Sequence, residues 1–180
     1  MKVRGTLTLA VVAVGLILSD LVQRTLISVS VKLLPGRRHR ILAAWQQLMA
    51  RFVLGSVRRL GGAHINDIPQ IPGGPGVLVI MNHQSLMDIP LVVRALRPGY
   101  PRIVTRERYA KGKPLISHMI RLYQYPTVDP RATVRSGLDT LSEAARESPV
   151  PLVIYPEGTR TKDGEAVSYT HLTLPTKRIV

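Results

Sequence analysis

Two short polar stretches carry the residue types that do chemistry: Asn82-His83-Gln84-Ser85-Leu86-Met87-Asp88 and Glu157-Gly158-Thr159-Arg160. The first sets an imidazole and a carboxylate five positions apart. An imidazole exchanges a proton near neutral pH and can take one from an alcohol, provided a partner fixes its tautomer and stabilises the imidazolium that forms. Asp88 is the candidate partner for His83. The logic is that of a Ser-His-Asp triad in which the substrate's own hydroxyl replaces the serine. Ser85 is a weaker candidate, as an enzyme nucleophile. A structural reading stands beside the catalytic one: Ser85 and Asp88 fit a Ser-x-x-Asp capping box, and Asp88 before Ile89-Pro90 can itself be an N-cap.

The second stretch places a carboxylate, a flexible glycine and a guanidinium after another apolar run. Gly158 allows close backbone approach to a ligand, and Arg160 offers a planar fork matched to phosphate oxygens. Glu157 either binds a substrate hydroxyl or holds Arg160; a salt-bridged, solvated loop is the alternative for the whole stretch. Arg131, after Val128-Asp129-Pro130, is a second candidate phosphate ligand, or a helix-start residue with Asp129 as N-cap and Pro130 at N1. Asn82, Gly158 and Thr159 complete the candidate substrate-binding set. No metal or redox site is visible, so no cofactor is expected.

These residues need elements to hold them. Short apolar runs at 76–81, 102–105, 125–129 and 150–155 read as strands, and 86–96, 114–123 and 133–146 read as helices. Strands separated by helices in this rhythm predict βαβ crossovers and an α/β fold, with a largely parallel sheet covered by helices on both faces. Ligands gather beyond the carboxyl ends of such strands, and Asn82-His83, Asp129-Pro130-Arg131 and Glu157 all fall there.

Ahead of this domain (76–166) lie a Pro/Gly-rich linker (61–75) and about 60 residues of hydrophobic and amphipathic helix expected to associate with a membrane. Leu7 to Leu18 is almost unbroken apolar sequence preceded by Lys2 and Arg4, and a second apolar stretch runs from Thr25 to Leu34. An embedded or tilted helix fits better than a signal peptide, and Asp20 and Arg24 have the i,i+4 spacing of an ion pair. Whether the helix spans the bilayer or lies in its interface stays open, and so does burial within a soluble domain. After Pro35-Gly36, residues 40–60 predict an amphipathic helix with Arg40, Gln47, Arg51 and Arg58 on one face and Ile41, Trp45, Leu48 and Phe52 on the other. It either lies in the membrane interface or packs on the main domain.

The formal net charge is +14, and ten of the basic residues precede Asp67 against Asp20 alone. Cations beside apolar helices point to an anionic membrane surface rather than to nucleic acid, since no basic stripe interleaves with aromatics. One Phe and one Trp predict a mainly aliphatic core. The absence of Cys excludes a cysteine acyl-enzyme, a Cys-ligated zinc site and any disulfide.

Asn82-His83-x4-Asp88, Asp129-x-Arg131 and Tyr155-Pro156-Glu157-Gly158-Thr159-Arg160 resemble, in this order, three motifs of the glycerolipid acyltransferase family; Pro130 departs from the middle one. The resemblance covers about residues 40 to 166. It implies His83 as general base, Asp88 as its partner, and Arg131, Glu157 and Arg160 as the acceptor-phosphate site. It implies transfer of a fatty acyl group from an acyl-CoA or acyl-carrier-protein thioester to a lysophospholipid hydroxyl such as that of 1-acylglycerol-3-phosphate, in phospholipid biosynthesis. The implied location is the cytoplasmic face of the inner membrane. A non-catalytic membrane-surface lipid-binding protein, or an inactive fragment, is the alternative. The family continues beyond the Glu-Gly-Thr-Arg motif, and residues 167–176 resemble a translated sequencing adapter. Residues 167–180 are therefore expected to be non-native, His171 is not recruited, and this chain is expected to be impaired relative to a full-length parent.

Overall fold

The computed structural model describes residues 2–129 and 134–156. It opens with helix α1 (Lys2–Val22), which passes through a π-helical turn (Gln23–Ile27) into α2 (Ser28–Leu33). The wider turn is sealed by Ser28, whose hydroxyl donates to the Gln23 carbonyl at 2.8 Å. Asp20 and Arg24 pair as their spacing predicts, Nε to Oδ2 at 2.7 Å. Val3–Leu33 is a single helical run long and apolar enough to cross a membrane, with only 6% of its most apolar window buried. Leu9, Ile17, Leu21, Leu26 and Leu33 all stand exposed along it. An apolar surface that continuous marks contact with lipid or another protein.

Pro35–Arg37 form a 3-10 turn, and α3 (Arg38–Arg59) follows. It crosses α1 where Gly15 meets Phe52, and a Cβ on Gly15 would overlap that ring. Gly62 ends the helix at φ +73, a conformation that favours glycine. The buried face of α3 differs from the sequence expectation. Leu42, Gln46, Ala50 and Leu54 are buried, Ile41 and Trp45 flank them, and Leu48 is exposed.

Three tyrosines account for the difference. Tyr125 Oη accepts from Gln46 Nε2 at 2.5 Å, Tyr123 Oη donates to the Leu42 carbonyl at 3.3 Å, and Tyr100 Oη lies 3.3 Å from His39 Nδ1. The three rings pack together, Tyr100 edge-on to Tyr123 at 5.3 Å and Tyr123 against Tyr125 at 5.7 Å. Their hydroxyls thus dock along one side of α3 and fix it to the main domain. The centre of the core is accordingly tyrosine-rich, with Val92, Leu96, Ile103, Ile120 and Val153 around it.

The remaining elements are β1 (Ile71–Pro72), β2 (Leu78–Ile80), α4 (Asp88–Ala95), β3 (Leu96–Arg97), β4 (Arg102–Ile103), β5 (Thr105–Arg106), α5 (Ile116–Tyr123), β6 (Thr127–Val128), α6 (Val134–Glu147) and β7 (Leu152–Ile154). Every strand pair is parallel, as the alternation predicts: β2-β7-β4 form one sheet, and β5-β6 and β1-β3 two short ones. The run read as one strand over 102–105 changes partner at Val104: Arg102–Ile103 pair with β7, and Thr105–Arg106 pair with β6. Buried β7 is central. Among the described residues β2 is the edge of this sheet, with Ile80 64% exposed.

Candidate active site

β2 and β7 leave the sheet at the same edge, with Ile80 opposite Ile154. The Met81 amide donates to the Ile154 carbonyl at 3.2 Å and carries the pairing one residue further. Asn82-His83 and Tyr155-Pro156 therefore begin side by side beyond the carboxyl ends of two parallel strands, where α/β sheets bind their ligands. The His83 and Tyr155 rings pack at a centroid distance of 4.4 Å and a tilt of 31°.

Asp88 is the first residue of α4, and its carboxylate reaches back over the loop. One oxygen, Oδ2, accepts from three donors: His83 Nδ1 at 2.9 Å, the Gln84 amide at 2.8 Å and the Ser85 amide at 2.8 Å. The negative charge also sits at the positive end of the helix dipole. An ionised carboxylate only accepts, so Nδ1 carries the proton and the Nε2 lone pair is left to take one. The pair is largely shielded from water, with side-chain exposures of 17% for His83 and 14% for Asp88.

The same Asp88 oxygen holds the loop amides and the imidazole. The capping geometry differs in detail from the expected box. Ser85 Oγ accepts from the Met87 amide at 2.9 Å, and the Asp88 amide donates to the Ser85 carbonyl at 3.3 Å. Asp88 is thus inside the helix rather than its N-cap, because its carboxylate is committed to residues behind it. The Ser85 hydroxyl serves the turn.

Tyr155 received no role from the sequence. Burial, and then the Asp88 charge, push its phenol well above the ordinary tyrosine range, so it stays neutral. Its hydroxyl is buried and has no hydrogen-bond partner among the described residues. The ring against His83 is therefore what Tyr155 supplies. The signal available in the sequence was an aromatic residue ending the strand that leads into Glu157.

Asn82 is exposed immediately before His83. Arg131, Glu157, Gly158, Thr159 and Arg160 lie outside the described residues. Among the described residues, no group of three or more His, Asp or Glu side chains could hold a metal ion.

The Acyltransferase family matches residues 63–175, well over half of the chain and inclusive of both polar stretches. The chain belongs to the acyltransferase family. A 1-acyl-sn-glycerol-3-phosphate acyltransferase from Cocos nucifera is 26% identical to it over 136 residues, covering 72% of this chain and 41% of that protein. This acyltransferase thus spans less than half the length of that relative. No solved structure matches it. The His83-Asp88 pair lies in the matched region, on the strand-to-helix turn between β2 and α4.

Proposed function

We propose that this acyltransferase moves a fatty acyl group from a CoA or acyl-carrier-protein thioester to the hydroxyl of a lysophospholipid such as 1-acylglycerol-3-phosphate. The observation that carries the reading is the 2.9 Å contact between His83 Nδ1 and Asp88 Oδ2 at the sheet edge. His83 Nε2 takes the proton of the acceptor hydroxyl as its oxygen bonds to the thioester carbon. The tetrahedral intermediate collapses, the C–S bond breaks, and the imidazolium returns its proton to the leaving thiolate. The Asp88 carboxylate stabilises the imidazolium between the two transfers. In this reading Arg131, Glu157 and Arg160 hold the acceptor phosphate, with Asn82, Gly158 and Thr159 beside them. The exposed apolar run of Val3–Leu33 keeps the site at the membrane that holds the acceptor, on its cytoplasmic face.

The test supplies labelled acyl-CoA and lysophosphatidic acid to the protein in liposomes and compares it with His83→Ala. The parent should form phosphatidic acid and the variant should not. Unchanged turnover in His83→Ala removes the imidazole from the reaction. Liposome binding by a parent that shows no turnover supports the lipid-binding alternative.

A further inference from the structure

We infer that a cleft between α3, α4 and the segment at 65–70 is a binding site for phosphate groups, separate from the His83-Asp88 pair. It is an open surface cleft of about 820 Å³, lined by Arg51, Arg58 and Arg59 of α3 and Arg94 of α4. Asp67 is the one carboxylate in its lining. Among the described residues none of the four guanidiniums forms an ion pair. Four like charges facing a single acid repel one another, and an anion bound among them removes that cost.

The cleft has fixed parts. Arg94 Nη1 donates to Gln47 Oε1 at 2.9 Å, and Gln47 Nε2 donates in turn to the carbonyls of Val93 at 2.5 Å and Leu96 at 3.3 Å. This amide bridges α3 to the end of α4 and holds the Arg94 guanidinium in place. On α3, residues 51, 55, 58 and 59 share a face by helical spacing. Gly55 leaves the floor open, since an added Cβ would meet only Arg59 Nη1, at 3.8 Å. An exposed helix interior otherwise disfavours glycine.

Guanidinium forks match phosphate oxygens in pairs, and the excess positive charge suits a group carrying two or more negative charges. Asp88 and Arg94 stand at opposite ends of α4, roughly 9 Å apart along its axis. The cleft therefore does not overlap the imidazole. Two carriers offer this chemistry, a soluble diphosphate and an anionic lipid headgroup.

The full chain in neutral detergent is titrated calorimetrically with inorganic pyrophosphate, and in parallel floated with phosphatidylcholine vesicles with and without phosphatidic acid. At least one arm should respond, by pyrophosphate binding or by tighter flotation with phosphatidic acid. In the responding arm Arg58→Gln and Arg94→Gln should each weaken binding about tenfold, as loss of a charge-assisted hydrogen bond does. Arg108→Gln, an exposed cation outside the cleft, should leave it unchanged. A pyrophosphate response assigns the soluble carrier, and a response confined to vesicles assigns the headgroup. No response in either arm overturns the inference, as does an equal loss in Arg108→Gln or full binding in Arg58→Gln, whose exposed position spares the core. Neither arm reads acyl transfer, so its failure is separable from failure of the proposed reaction.

Discussion

Replacing Asp88 by Asn tests the site most directly, because its effect can be worked from the hydrogen bonds. An asparagine at this position could in principle turn its amide nitrogen toward His83 and force the wrong imidazole tautomer, which in a serine-protease triad costs about 10⁴ in turnover. Here the Gln84 and Ser85 amides both donate to the oxygen that also faces His83. An NH₂ group placed there would confront two further donors, so the carbonyl oxygen stays and Nδ1 keeps its acceptor. What Asp88→Asn removes is the charge opposite the imidazolium.

At the observed 2.9 Å, that attraction is about 1.4 kcal/mol at a water-like dielectric constant and about 5.7 kcal/mol at an effective value near 20. The side chains are partly shielded, which puts the loss at about 3 kcal/mol, or about 10² in kcat. Asp88→Ala removes the acceptor for all three donors. It should lower turnover further and also destabilise the fold by about 1 kcal/mol, the net worth of a typical hydrogen bond, since water can reach part of the loop. The assay is acyl transfer from acyl-CoA to lysophosphatidic acid in liposomes, with thermal denaturation alongside. Turnover of Asp88→Asn within about threefold of the parent, less than 1 kcal/mol in barrier, refutes the electrostatic role. A loss near 10⁴ in the same variant refutes the argument that the two amides hold the oxygen in place.

Tyr155→Phe should keep turnover and stability close to the parent's, because the hydroxyl has no partner among the described residues. Tyr155→Leu should lower kcat several-fold, since a ring contact of this kind is worth about 0.5–1.5 kcal/mol; matched kinetics decide it, and a large loss in Tyr155→Phe would assign the work to the hydroxyl instead. Burial raises the phenols of Tyr123, Tyr125 and Tyr155 above their ordinary value. Folded pKa values above the unfolded value of about 10 mean that this stability is fully present below about pH 10 and lost as pH rises through the folded values. Alkaline titration followed by circular dichroism and tyrosinate absorbance should show these three phenols ionising only as the fold is lost; ionisation of more than three of the six tyrosines with the fold intact would contradict it.

The strands and helices of the main domain were legible because their apolar runs are short, bounded by Gly and Pro, and alternate in period. The buried side of α3 was not. Its pattern of Ile41, Trp45, Leu48 and Phe52 is amphipathic, yet tertiary contacts select Leu42 and Gln46, because tyrosine hydroxyls from the loops and α5 need polar partners on that side. Hydropathy assigns Gln46 to solvent, and only the fold supplies the phenol that buries it. The change of partner at Val104 was hidden for a similar reason: both halves of residues 102–106 are extended, and the sequence carries no mark of which strand each will meet. Of the site, His83 and Asp88 were readable from residue type and spacing. Tyr155 was not, since its contact with His83 depends on the parallel register of β2 and β7.

That register explains how a five-residue spacing can serve both structure and chemistry. After Ile80 the chain must leave the sheet, and the amides of Gln84 and Ser85 lose any strand partner at that point. The Ser85 amide is partly buried and gains from an acceptor close by, which the exposed Gln84 amide shares. Asp88 supplies that acceptor from the first turn of α4, where a negative charge also favours the helix dipole. Oδ2, held by those amides, also orients His83, while β7 brings Tyr155 against the ring. The imidazole is thus held by two elements that the fold requires for other reasons, α4 through an oxygen and β7 through a ring.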